Sequence, residues 1–205
     1  MKTNIQARWL FCIVLLSLTA GCTFSTTLND RLTYGAEKAL LDRHTGAQAM
    51  NFTMDQTTRK FEYTGFPSGI LGSATQRSFP IGATFTAYVE QAQKALFNPV
   101  NGAAIPIGVH LAKCQLEYTN SATAFMGGRR AIDWVDITLI VDTLFPWENG
   151  KPTQITVHRI TDTSVTEMAE STDPYRSVTT ALTGLVSDFI DEVVRQVAAH
   201  EATIR

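Results

Sequence analysis

Cysteine is scarce in this chain. Its 205 residues hold three, and two of them, Cys12 and Cys22, fall within the first 22 positions. The body therefore carries a single thiol, Cys114, so no disulfide can staple it and stability must come from packing. A basic surplus is lacking as well: 17 Lys and Arg stand against 19 Asp and Glu, for a formal charge of −2. That argues against a nucleic-acid binder. Beyond the first 21 residues no apolar run approaches the roughly 18 residues of a membrane-spanning helix. The four histidines are scattered without metal-ligand spacing, and no Gly-rich loop of phosphate-binding spacing joins a strand to a helix. Ser73 in "GILGSAT" lacks the flanks of a nucleophile elbow. No internal repeat and no low-complexity tract is present.

What is present begins at the N-terminus. Residues 1–8 carry Lys2 and Arg8 and no acid, Trp9 to Leu18 is an apolar segment, and small residues then lead to Cys22. The segment is too short to cross about 30 Å of hydrocarbon and reads as a processing signal. Ala20-Gly21-Cys22 resembles the last three positions of the bacterial lipoprotein signal, the lipobox. Thr19 departs from it, because leucine is commonest there and here stands one place earlier, at Leu18. The resemblance implies cleavage before Cys22, a diacylglycerol on its thiol and an acyl chain on the new amino group. It also implies an outer-membrane, periplasm-facing location, since Thr23 stands where an aspartate would signal inner-membrane retention. Each buried methylene contributes about 0.8 kcal/mol, so several chains make a durable anchor where one does not. Loss of residues 1–21 would take the formal charge to −4.

Residues 22–58 are polar and weakly patterned, and read as a lipid-anchored tether and lead-in with a short helix near Tyr34 to Asp42. Residues 59–205 read as one domain. "KFEYTGF" (60–66) alternates like a strand, and 67–82 reads as a Gly/Ser/Pro-rich loop. Residues 83–97 repeat apolar positions at helical spacing, with Thr84 as N-cap and Asn98-Pro99 as stop. Residues 107–118 read as a strand with His110, Ala112, Cys114, Leu116 and Tyr118 on one face. Residues 131–145 form the strongest strand, with Val135, Ile137, Leu139, Val141 and Phe145 on an apolar face. In the hairpin that follows, a three-residue loop with Gly150 in the left-handed region sets Ile155 and Val157 beside Val141 and Leu139. A two-residue loop sets them beside the opposite face, and the apolar pattern favours the first. Asp173 and Pro174 open a long amphipathic helix whose broad apolar stripe runs from Val178 to Val197. The order strand, helix, three strands, helix predicts an α+β two-layer sandwich: a mostly antiparallel sheet of about four strands with two helices on one face.

No residue set reads as catalytic, and no metal or cofactor is expected. Cys114 beside His110 could make a nucleophile and base, but an apolar setting reads better as a buried, inert thiol. Two segments could carry contacts. "AFMGGRRAIDW" (124–134) places Arg129 and Arg130 after Gly-Gly, with Phe125 and Met126 before them. Paired arginines can grip phosphates or carboxylates, though a solvated loop that the arginines keep soluble is the favoured account. "FPSGILG" (66–72) offers Ile70 and Leu71, either to seal the core or to meet a partner.

The layout over residues 60–200 is similar to that of small Gram-negative envelope lipoproteins of the LptE and YajG types. That likeness is one of topology, and no functional residue carries over with it. It implies a non-enzymatic accessory protein of the envelope that binds a partner protein or an anionic, lipopolysaccharide-type lipid. The competing expectations are a membrane-anchored periplasmic hydrolase and a carrier for a small apolar ligand.

Overall fold

The computed structural model describes residues 23–44, 46–68, 76–96, 104–120, 132–163 and 173–204. In chain order its elements are β1 (Thr23–Ser25), α1 (Tyr34–His44), β2 (Met50–Met54), α2 (Gln56–Arg59), β3 (Tyr63–Gly65), β4 (Gln76–Phe79), α3 (Ile81–Leu96), β5 (Ile105–Asn120), β6 (Ile132–Leu144), β7 (Thr153–Asp162) and α4 (Arg176–Ile204). Among the described residues they make two sheets. The larger runs β2-β5-β6-β7 and is antiparallel except for β2, which lies parallel to β5; the smaller runs β1-β4-β3, with β1 parallel to β4. The α+β class expected from the element order is the class observed.

The larger sheet explains why its strands alternate. Val135, Ile137, Leu139 and Val141 of β6 are fully buried, while Asp136, Thr138, Ile140 and Asp142 between them are only half-buried on the other face. The buried face carries α3 and α4, with α1 packed against both helices. Phe189 of α4 meets Phe85 of α3 at 5.5 Å between ring centroids and Phe52 of β2 at 6.1 Å, which joins both helices to the sheet edge. Val178, Leu182, Leu185, Val186, Ile190, Val193 and Val197 complete the buried stripe of α4. The helix starts two residues later than Asp173 and Pro174 suggest: the Tyr175 carbonyl accepts an N–H of its first turn, and the Asp173 carboxylate instead accepts the Tyr175 N–H at 2.8 Å in the turn ahead of it.

The long hairpin has the register the apolar pattern favours: Val141 pairs with Ile155 and Leu139 with Val157. Its loop is longer than three residues. Asn149 and Gly150 both adopt positive φ, 50° and 80°, and the Lys151 N–H donates to the Glu148 carbonyl. The ladder closes only at Thr143 and Thr153. Phe145, Pro146 and Trp147 therefore lengthen the first arm, and that odd insertion brings the apolar faces together despite a tight turn.

Several expectations are corrected. A bulge between Leu111 and Lys113 breaks the alternation of β5. Val109 and Leu111 face the core before it and Cys114, Leu116 and Tyr118 after it, so His110 and Ala112 do not share the Cys114 face. Residues 67–82 are not all loop, since β4 and the first two residues of α3 lie within them. Helix α3 starts before Thr84, whose hydroxyl donates back to the Pro80 carbonyl at 3.1 Å inside the helix. Gly82 lies where α3 crosses α2: a Cβ there would stand 1.8 Å from the Thr58 carbonyl oxygen. Residues 23–58 are no tether. They supply β1, α1, β2 and α2, and bury Leu28, Leu32, Leu40, Met50, Phe52 and Met54 in the common core.

Candidate functional site

The residues singled out in the sequence, Cys22, Ile70, Leu71, Phe125, Met126, Arg129 and Arg130, lie outside the described residues. The described chain on either side of them fixes where their segments attach. Thr23, directly after Cys22, pairs with Gln76, the first residue after 69–75. Gly65 and Ser68, ahead of that stretch, hold Tyr118 near the end of β5: the Tyr118 hydroxyl donates to the Gly65 carbonyl at 2.9 Å, and the Ser68 N–H donates to the Tyr118 carbonyl at 2.6 Å. Three residues beyond Tyr118 begins the segment 121–131. At its other end, the Ile132 N–H donates to the Pro174 carbonyl at 2.9 Å. Strand order thus brings the attachment points of three separately singled-out stretches to one pole of the molecule.

This pole is built around the small sheet. Phe79 is fully buried and meets Tyr118 edge-on at 5.2 Å, which seats β4 on β5. The Tyr63 hydroxyl donates to the Leu116 carbonyl at 2.6 Å. The buried Arg77 donates to the Tyr175 hydroxyl at 3.1 Å and lies over its ring at 5.4 Å, tying the small sheet to the chain just before α4. Burial pushes the Tyr118 hydroxyl up to about 12, so it stays a neutral donor across ordinary pH. Two large apolar side chains face solvent here, Phe24 at 58% exposed and Phe66 at 51%.

The opposite pole holds the hairpin loop and the end of α4. His200 stacks on Trp147 at 4.1 Å, and Trp147 stacks on the buried Phe145. The contact at His200 was not foreseen, because its partner is far away in sequence. A helix of 29 residues spans about 43 Å, so α4 runs nearly pole to pole.

The other three histidines each meet an aspartate. His44 Nε2 lies 2.6 Å from Asp191, His110 Nδ1 lies 2.6 Å from Asp55, and His158 Nε2 lies 2.8 Å from Asp136. Burial works to raise the Asp55 carboxyl, but hydrogen bonds from Thr58 and His110 outweigh it and leave it below the usual carboxylate value. A histidine with an orienting aspartate is two-thirds of a hydrolytic triad. Among the described residues, no hydroxyl or thiol hydrogen-bonds the second nitrogen of these rings. Cys114 is buried, and burial pushes its thiol up to about 12, so it is no nucleophile near neutral pH. No group of three His, Cys, Asp or Glu among the described residues could hold a metal ion. A shallow cleft of about 330 Å³ lies between residues 154–158 of β7 and Asp188 and Glu192 of α4. Its carboxylates are engaged, Asp188 by Arg159 and Glu192 by Arg195.

No protein-family model matches the chain, and no curated protein does either. A crystal structure of a minor lipoprotein from Acinetobacter baumannii is similar to it at a TM-score of 0.30 and 9% sequence identity, over 76% of this chain and 95% of that one. No described helix is long and apolar enough to cross a membrane.

Proposed function

We propose that this chain is a lipid-anchored lipoprotein of the bacterial envelope that works by binding. It is held through Cys22 at the periplasmic face of the outer membrane, as a scaffold or assembly subunit of an envelope protein complex. The observation that carries this reading is the Ala20-Gly21-Cys22 motif behind a ten-residue apolar segment. The unreactive Cys114 supports binding over thiol chemistry. Arg129 and Arg130, on the segment between Asn120 and Ile132, are the contact residues for an anionic lipid or a partner's carboxylates.

Mass analysis of the mature chain tests the anchor. It should find residues 1–21 absent and Cys22 carrying acyl chains, and Cys22→Ala should leave the precursor uncut. A bare thiol at position 22 would sink the reading. For the contact role, exchanging both arginines for alanine should reduce crosslinking to partner protein or lipopolysaccharide in intact envelopes while the fold is unchanged. Equal crosslinking would remove the arginines from the proposal.

A further inference from the structure

We infer that the pole carrying the small sheet is the bilayer-contacting surface of the molecule, with Phe24 and Phe66 seated at the lipid interface and α4 pointing its C-terminal end away from the membrane. The inference rests on the Cys22 anchor proposed above. It adds an orientation and a contact surface, which an anchor alone does not imply, because a lipoprotein on a long tether can tumble freely.

The first ground is the pairing of the residue next to the anchor. The Thr23 backbone is laddered to Gln76, and its hydroxyl donates to the Gln76 side chain at 3.0 Å. The next residues hold the strand in place, as the Thr26 hydroxyl and N–H both donate to the Ser78 carbonyl, at 2.6 and 2.9 Å. Consecutive Cα atoms are about 3.8 Å apart, so acyl chains on Cys22 begin within one residue of a fixed edge strand. A body attached that closely must rest the surrounding surface on the headgroups.

The second ground is what that surface exposes. Phe24 and Gly65 are the two cross-strand neighbours of Arg77. Their backbones are therefore two strand spacings, roughly 10 Å, apart, with Phe66 the next residue on. Both rings are more than half exposed. Phe24 shares the Arg77 face of the sheet and Phe66 stands just past the end of β3, so each outer strand of the small sheet carries a half-exposed ring that suits a lipid interface better than water. The far pole exposes aliphatic side chains, Leu144 and Ile204, but its aromatic rings, Phe145, Trp147 and His200, are stacked on one another, and Lys151 at its tip is exposed.

The test places a small environment-sensitive fluorophore at each pole of the full, lipidated chain, isolated from membranes and reconstituted into phosphatidylethanolamine/phosphatidylglycerol vesicles containing brominated lipid. Phe66→Cys and Gln76→Cys report on the near pole, and Lys151→Cys on the far one. The native Cys114 stays unlabelled because it is buried and un-ionised. Quenching at both near positions should exceed that at position 151 several-fold. Gln76→Cys keeps both phenylalanines, so a folding defect in the other variant does not blunt the test. Equal or weaker quenching at the near pole, with acylated Cys22 found by mass analysis, overturns the orientation and leaves the anchor standing. A free, labelled thiol at position 22 overturns both.

Discussion

Phe189 ties two helices to one sheet, and truncating it should cost more than any other single change in the helix layer. The side chain is fully buried and meets Phe85 and Phe52, at centroid distances of 5.5 and 6.1 Å. Replacing a buried Phe with Ala costs about 3–5 kcal/mol in lost transfer energy and cavity. Each aromatic pair adds about 0.5–1.5 kcal/mol beyond the area buried, which places Phe189→Ala at the upper end of that range. A loss near 5 kcal/mol is comparable with the whole stability of a small domain, about 5–15 kcal/mol. For a chain of this length each kcal/mol moves the melting temperature by roughly 2–4 °C, so the drop should be roughly 10–20 °C. Thermal melts followed by far-UV circular dichroism measure it, with Ile160→Ala as the companion. Ile160 is 57% exposed on the uncovered sheet face, and its loss should stay within about 0.5 kcal/mol. Should the two variants melt together, the helices do not cover the sheet face described above.

Gly82→Ala should destabilise by at least about 3 kcal/mol in urea titrations, because the new Cβ collides with the Thr58 backbone oxygen rather than a movable side chain. Gly35→Ala, with nothing within 4 Å, should be neutral or stabilising by up to about 1 kcal/mol in the same assay. Alkaline pH should unfold the protein. Cys114, Tyr88 and Tyr118 are each pushed up to about 12 by burial, so the unfolded chain loses its protons first and stability falls as pH rises from about 9 to 12. A flat denaturation midpoint over that window would contradict the burial of these groups. Asp191→Ala removes the partner of both Arg43 and His44, and should raise amide exchange in α1 more than in the core of α4, read by hydrogen-exchange mass spectrometry.

Much of the layout was legible from local pattern. The periodicity of α4, the two faces of β6, and the burial of Cys114 all follow from which residues lie three, four or two positions apart. The errors have one origin. Alternation along 107–118 cannot show the bulge at Ala112, because a bulge is defined by what the partner strand leaves unpaired. Short strands such as β1, β3 and β4 carry too few residues to show a period, and their pairing depends on strands far away in sequence. The stretch 23–58 looks polar because its apolar residues are widely spaced. Leu28, Leu32, Leu40 and Met50 become core only when α1 and β2 find the rest of the fold.

By itself the sequence determined the helical and strand faces and the small-residue motif ahead of Cys22. These are properties of neighbouring residues, written in covalent order and side-chain chemistry. Only the tertiary structure decided that β2 enters the sheet parallel at its edge, and that Thr23, Gly65 and Tyr118 gather at one end. Convergence of distant segments depends on strand order and register. Those are set by the summed burial of many non-local pairs, which no single stretch of sequence contains.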